Sequence, residues 1–226
     1  MAEIKLVIFD KDGLIFDTER LYLNCSDYIS NLYGYNVPSD LIRRSMGRTG
    51  TAIKKMIVEE LGDDFPLEEY WKRVHDYEEE YRNNHDPVFK KGFKELLKYL
   101  KDNNIKTAIA TSTKRQKAIS YITRAGILDS LDYIICGDDI TESKPSPQIY
   151  LKVVDYFNIP KENTLIFEDS CNGLLSAYNA GINCILVPDI AIVPEQEKPK
   201  AYKVIESLDL AIDIIKELNN ETTSSI

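Results

Sequence analysis

The stretch Val7-Ile8-Phe9-Asp10-Lys11-Asp12-Gly13 carries an apolar strand straight into two carboxylates and a glycine. Apolar residues without polar alternation mark a strand buried on both faces, as in a parallel sheet. This first run spans 5–9, and similar short runs rich in Val and Ile recur at 106–110, 133–136, 164–167 and 184–187. Between and after them the apolar spacing changes to three and four. Phe93, Leu96, Leu97 and Leu100 form one set; Ala118, Ile119, Ile122 and Ala125 a second; Leu208, Ala211, Ile212 and Ile215 a third. Each is one face of an amphipathic helix. Strands alternating with helices imply parallel pairing through right-handed crossovers, hence an α/β fold with an open sheet covered on both faces.

The first strand breaks the alternation. From Thr18 to His85 only helical patterns occur, beginning with Leu21, Cys25, Ile29 and Leu32, broken at Gly34 and Pro38, and resuming before Gly47 and Gly62. An all-helical insertion therefore leaves the C-terminal end of strand one, the edge where open α/β sheets bind ligands, and is placed to cover a site there. The expected division is a core of residues 1–17 and 87–226 and a small all-helical cap domain of residues 18–86. The two crossings, at 17–19 and 86–92, are the expected hinges.

The 226-residue chain, 43% hydrophobic and 29% charged, has the composition of a globular protein able to bury a core. Its net charge of -9 argues against a nucleic-acid partner, whose phosphates it would repel. A small anion remains admissible where a local cation reverses the field of one cleft. The four cysteines, at 25, 136, 171 and 184, lack Cys-x-x-Cys spacing and read as reduced thiols in or near the core. The N-terminus shows no secretion signal, and no apolar run approaches the ~20 residues that span a bilayer. No membrane association and a cytoplasmic location are the expectation. The sequence does not set the oligomeric state, and a monomer is compatible with it.

Four clusters stand where strands end. At the first, Asp10 is suited to attack phosphorus, and Asp12, if protonated by the influence of nearby negative charge, to give a proton to a leaving alkoxide. Alone, the pair reads equally well as a turn cap. At the second, Thr111 and the Ser112 amide stand where a helix start would hold phosphate oxygens, although an ordinary hydroxyl N-cap explains them alone. At the third, Lys144 lies in the rigid loop Glu142-Ser143-Lys144-Pro145-Ser146-Pro147 before a helix containing Ile149, Tyr150 and Val153. Most lone lysines are simply solvated. At the fourth, Glu168 and Asp169 follow an apolar strand; unless they sit in a solvated turn, adjacent buried acids need positive charge, and hard oxygen donors suit magnesium. A phosphate dianion beside Asp10, Glu168 and Asp169 gathers about five negative charges, at roughly 4 kcal/mol per close pair, which no site tolerates without cations. Magnesium and Lys144 remove about three, leaving amides and helix N-termini to absorb part of the rest.

In this order the clusters resemble the motifs of the haloacid dehalogenase superfamily, in its phosphatase and phosphomutase branch with a small helical cap: Asp10-Lys11-Asp12-Gly13 with Asp17-Thr18-Glu19, then Thr111, then Lys144-Pro145, then Glu168-Asp169-Ser170 with Gly173. The resemblance implies a Rossmann-like core with Asp10 on the central strand. It also implies Asp10 as nucleophile, Asp12 as general acid and base, Thr111 as the phosphate hydroxyl, and Lys144 as the cation between phosphate and nucleophile. Magnesium would be held by Asp10, the Asp12 carbonyl and Asp169, with Glu168 bound directly or through water. Gly13, Ser112 and the cap's Arg48 complete the substrate-binding candidates, and the expected partner is a small phosphorylated metabolite.

Most alternatives fall to particular residues. A calcium loop lacks its downstream glutamate in register. Dehalogenase members lack the second aspartate, which is Asp12 here; phosphonate-cleaving members use a cap lysine where this chain offers Arg20 and Tyr22. Receiver domains have no cap. A catalytically idle binding protein does not require the full turnover set present here. A hexose-phosphate mutase, which shares motifs and cap, stays open as the alternative: it places a histidine and an arginine where this chain has Tyr22 and Gly50, and Arg48 lies close enough in sequence to supply the cation. In the cap, Arg43, Arg44 and Arg48 flank Gly47, with Ser45, Thr49 and Tyr22 near in sequence; they line a substrate pocket or form a solvated face. His75 and His85 lie away from the motifs.

Overall fold

The computed structural model describes residues 3–46, 48 and 50–223, so Gly47 and Thr49 of the cap motif lie outside the described residues. The chain runs β1 (Leu6–Phe9), α1 (Thr18–Tyr33), α2 (Ser39–Ser45), α3 (Gly50–Leu61), α4 (Leu67–Asn84), α5 (Phe93–Asp102), β2 (Lys106–Ala110), α6 (Arg115–Arg124), β3 (Tyr133–Ile135), α7 (Gln148–Phe157), β4 (Thr164–Glu168), α8 (Cys171–Ala180), β5 (Asn183–Leu186), β6 (Lys203–Val204) and α9 (Ala211–Thr223), with short 3-10 turns between. The strands form one parallel sheet in the order β3-β2-β1-β4-β5-β6.

Every residue of β1 is buried because both its faces are covered. Val7 and Phe9 point into a cluster with Phe93, Leu96 and Leu100 of α5, Ile122 of α6 and Ile215 of α9. Leu6 and Ile8 point the other way, to Ile149 and Val153 of α7 and Leu174 and Ala177 of α8. The apolar face anticipated for α5 is the one buried here, whereas at α9 Ala211 and Ile215 are buried with Leu208 just before the helix, Ile212 is half-buried, and Ile214 and Leu218 join the core instead. The two-residue β6 was not anticipated, because Lys203 and Val204 are both exposed and make no apolar run.

Register positions the site. Phe9 of β1 lies opposite Ile109 of β2 and Phe167 of β4, so the next residues, Asp10, Ala110 and Glu168, reach the same sheet edge. The chain crosses that edge twice. Asp17 N donates to Val88 O at 3.0 Å, Lys90 N donates to Ile15 O at 2.8 Å, and the Phe16 and Phe89 rings pack with centroids 5.1 Å apart. Helices α1–α4 lie between the crossings and bury a cluster of their own, with Leu23, Cys25, Ile29, Leu41, Ile57, Tyr70 and Val74. Gly34 ends α1 in a left-handed conformation and Pro38 precedes α2, as the breaks in the pattern suggest. The expected stripe on α1 shifts, however: Leu32 is 57% exposed, while Leu23 and Ser26 are buried with Cys25 and Ile29 against the neighbouring helices. The last turn, where Leu32 sits, runs past that packing. Among the described residues no helix is long and apolar enough to cross a membrane.

Gly92 precedes α5 at φ 85°, and a side chain there would overlap the Asp209 backbone. Gly92→Ala should lower stability by more than about 2 kcal/mol, whereas Gly126→Ala, at φ 71° with open space around it, should cost about 1–2 kcal/mol. Urea denaturation of both variants checks the difference; equal losses would mean that the Asp209 contact gives way freely.

Candidate active site

The cluster begins with a buried lysine. Lys144 Nζ donates to Asp10 Oδ1 at 2.6 Å, to Glu168 Oε1 at 2.6 Å and to Ala110 O at 3.1 Å, so all three of its protons are placed. Burial opposes its charge, but the two carboxylates prevail and hold its pKa above the ordinary lysine value. Burial pushes Asp10 up to about 7 against the pull of Lys144, with Glu168 and Asp12 adding to the rise.

Glu168 is fully buried, and its oxygens are already committed. Oε1 also accepts from Tyr150 Oη at 2.6 Å; Oε2 accepts from Ser170 Oγ and Asp169 N, both at 3.2 Å, and from Ser170 N at 3.4 Å. The carboxylate occupies the space a side chain at Gly173 would fill. Asp169 differs. It is 1% exposed, yet its Oδ2 has no hydrogen-bond partner. Burial, joined by the charges of Asp10, Glu168 and Glu19, drives its pKa well above the carboxylate range. Ligand atoms of Asp10, Glu168 and Asp169 lie within 4.8 Å of one another. An orphaned buried oxygen among hard oxygen donors fits a divalent cation such as magnesium.

Asp12 does not follow the sequence expectation. Burial acts to raise its pKa, but Lys11 outweighs it and, with Arg82 and Thr113, brings it down to about 2. Lys11 Nζ donates to Asp12 Oδ1 at 2.6 Å and Thr113 Oγ1 to Oδ2 at 2.7 Å. The nearest influence on Asp12 is therefore cationic, and its carboxylate is ionised in this arrangement. Thr111 is buried at the end of β2, and its hydroxyl reaches Asp12 Oδ2 at 3.4 Å. Ser112 beside it is exposed. The helix start expected there comes later, at Arg115, whose amide donates to Asp138 Oδ1 at 2.9 Å.

The insertion's candidates separate. Arg48 is exposed, its Nε bonded to Arg44 O at 2.7 Å, and its charge reaches Cys171 at the start of α8. Arg43 is exposed. Arg44 is paired with Asp40 and Glu60, and Ser45 is buried with its hydroxyl on Ile42 O at 2.6 Å. Tyr22 packs against the insertion's own apolar cluster. Sequence reasoning missed Lys11, Thr113 and Tyr150: Lys11 looks solvated until the loop folds it inward, and Tyr150 sits on an apolar helix face where its ring predicts packing and hides its hydroxyl.

A family model for haloacid dehalogenase-like hydrolases matches residues 7–187. The chain is 35% identical over 184 residues to a phosphorylated carbohydrates phosphatase of Thermotoga maritima, covering 80% of this chain and 84% of that one. It is 31% identical over 215 residues to a probable pseudouridine-5'-phosphatase of Drosophila melanogaster, covering 92% and 91% respectively. Among solved structures, a beta-phosphoglucomutase-like protein from Thermotoga maritima superposes with a TM-score of 0.76 at 30% identity, covering 95% of this chain and all of the other.

The raised carboxyls set a pH dependence. Between the ordinary carboxylate value and about 7, folded Asp10 and Glu19 retain protons that the unfolded chain has released, so their contribution to stability is present at low pH and lost as pH rises through 7. Without divalent metal, the melting temperature should fall from pH 5 to pH 8. The rise produced by magnesium should be larger at pH 8 than at pH 5; a rise independent of pH in calorimetry would contradict the linkage.

Proposed function

The chain belongs to the haloacid dehalogenase-like hydrolase family, and from that premise we propose that it is a magnesium-dependent phosphatase of small phosphorylated sugars or related metabolites, acting in the cytoplasm through an aspartyl-phosphate on Asp10. One observation carries the reading: the Asp10 carboxylate, held by Lys144 at 2.6 Å, shares a cluster of ligand atoms within 4.8 Å with buried Asp169, one oxygen of which has no hydrogen-bond partner. An anionic nucleophile and an anionic phosphate meet only where such cations hold them.

In this reading Asp10 attacks phosphorus, and the bond to the substrate oxygen breaks as Asp12 supplies its proton. Asp12 then takes a proton from the water that hydrolyses the aspartyl-phosphate. Its ionised resting state suits that second step, and an arriving phosphate dianion works against Lys11 to favour the protonated form needed for the first. Lys144 neutralises charge between nucleophile and phosphate, and Thr111, Ser112 and Gly13 bind the phosphate. Asp10, Asp169 and the Asp12 carbonyl would hold magnesium, which when bound offsets phosphate charge. Glu168, with its oxygens occupied, serves chiefly to aim Lys144. Residues 18–86 act as the cap and Arg48 as its contact with the substrate. The relatives' names support a phosphorylated sugar or nucleoside-like substrate. The presence of Asp12 speaks against dehalogenation.

Asp10→Asn should leave less than about one per cent of wild-type turnover on a sugar phosphate with circular dichroism unchanged, and chelator should abolish wild-type activity. Retained turnover in either case would contradict the mechanism.

The competing mutase reading needs a cap base and a second phosphate site. Tyr22, packed in the insertion with burial holding its pKa far above neutrality, and Gly50, with no side chain, do not supply them. With β-glucose 1-phosphate and a bisphosphate activator, free phosphate should form faster than glucose 6-phosphate; the reverse order would establish the mutase.

A further inference from the structure

Glu19, the last residue of Asp17-Thr18-Glu19, has no part in the chemistry described above, yet the fold brings it to the edge of the acidic cluster. It lies in the first turn of α1 and is largely withdrawn from solvent. Gly13 is the meeting point. At φ 87° it presents its bare Cα to two carboxyls at once: a side chain there would overlap Asp169 Oδ2 and come within 3.2 Å of Glu19 Cδ. The Gly13 amide in turn donates to Thr18 Oγ1 at 3.1 Å, tying this loop to the start of α1.

Two carboxyls converging across a glycine repel each other unless positive charge lies nearby. Lys90, whose charge acts on Glu19, is already engaged: its Nζ pairs with Asp189 Oδ2 at 2.7 Å and with Asp17 Oδ1 at 3.5 Å. Glu19 Oε2 accepts from Ala191 N at 3.1 Å, a neutral donor. The partnerless Oδ2 of Asp169, in a residue 1% exposed, supplies an independent sign that this space is built for a cation.

We propose that Glu19 is a positioning residue of the cation site, forming its outer, water-bridged edge on the side of α1. The inference rests on the magnesium reading above. Glu19 stands outside the tight group of Asp10, Glu168 and Asp169, whose ligand atoms lie within 4.8 Å of one another, so direct ligation is not its place. Magnesium characteristically keeps several waters, and carboxylates that orient such waters govern affinity although they never touch the ion. Through Ala191 and α1, the same carboxylate links the cation to the loop after β5 and to the insertion.

The test is direct magnesium binding by isothermal titration at pH 7.5, with the melting temperature recorded in the presence and absence of the ion, for wild type, Glu19→Gln, Glu19→Ala and Asp169→Asn. Glu19→Gln keeps an oxygen for the Ala191 amide and should weaken magnesium about tenfold, with Glu19→Ala at least as weak. The metal-free Glu19→Gln protein should melt no lower than wild type, because a repulsive charge has been removed. Wild-type affinity in both Glu19 variants, or a lower metal-free melting temperature with affinity unchanged, would overturn the proposal. Asp169→Asn separates the two levels: unchanged magnesium binding there would bring down the cation site itself, whereas loss of binding in Asp169→Asn with none in the Glu19 variants would remove Glu19 alone.

Discussion

Charge balance at one sheet edge is the constraint on which the rest of the structure depends. Asp10, Glu168 and Asp169 are all buried at the C-terminal ends of adjacent strands, and Lys144 is the ammonium placed between two of them. Buried ions of one sign are tolerable only when each has a partner and its remaining lone pairs are satisfied. Glu168 meets that condition through Tyr150, Ser170 and two backbone amides. Asp10 meets it through Lys144, while Asp169 keeps one oxygen with no partner in the protein. The site is thus complete on its lysine side and electrostatically unfinished on its Asp169 side, and that asymmetry gives a cation its place.

The fold supplies this arrangement through ordinary means. Parallel pairing brings the ends of β1, β2 and β4 together from positions far apart in sequence, and the crossover helices bury both faces so that the strands are rigid. Two glycines then make room where side chains would collide: Gly173 for Glu168, and Gly13 for Asp169. The insertion leaves and re-enters at the same edge through paired linkers, with Lys90 joined to Asp17 and Asp189 across the junction.

Much of this was legible in the sequence because its signals are local. Unbroken apolar runs locate the strands, and an acid or hydroxyl just after a run must lie at a strand end. Asp10, Thr111, Glu168 and Asp169 meet at one edge for that reason, and Lys144 reaches them from the loop before α7. What stayed hidden depends on side-chain direction. Lys11 reads as a surface lysine, yet the loop after β1 turns it inward against Asp12 and the Tyr121 ring, 5.5 Å from its ammonium, and reverses the expected influence on Asp12. Leu32 follows the helical spacing but runs past the packing that buries Cys25 and Ile29. Tyr22 and Arg44 were near the right loop in sequence, and in space they serve the insertion's own packing and ion pairs.

The central claim is that Asp10 becomes covalently phosphorylated in the course of the reaction. Mixing the magnesium-loaded enzyme with a hydrolysed sugar phosphate, quenching in acid within the first turnovers and mapping the digest by mass spectrometry addresses it directly. The account predicts the added mass of one phosphoryl group on the peptide that carries Asp10, at the aspartate itself, and its disappearance when substrate is exhausted. Turnover with no phosphorylated peptide at any quench time, or with the phosphoryl group on another side chain, would contradict it.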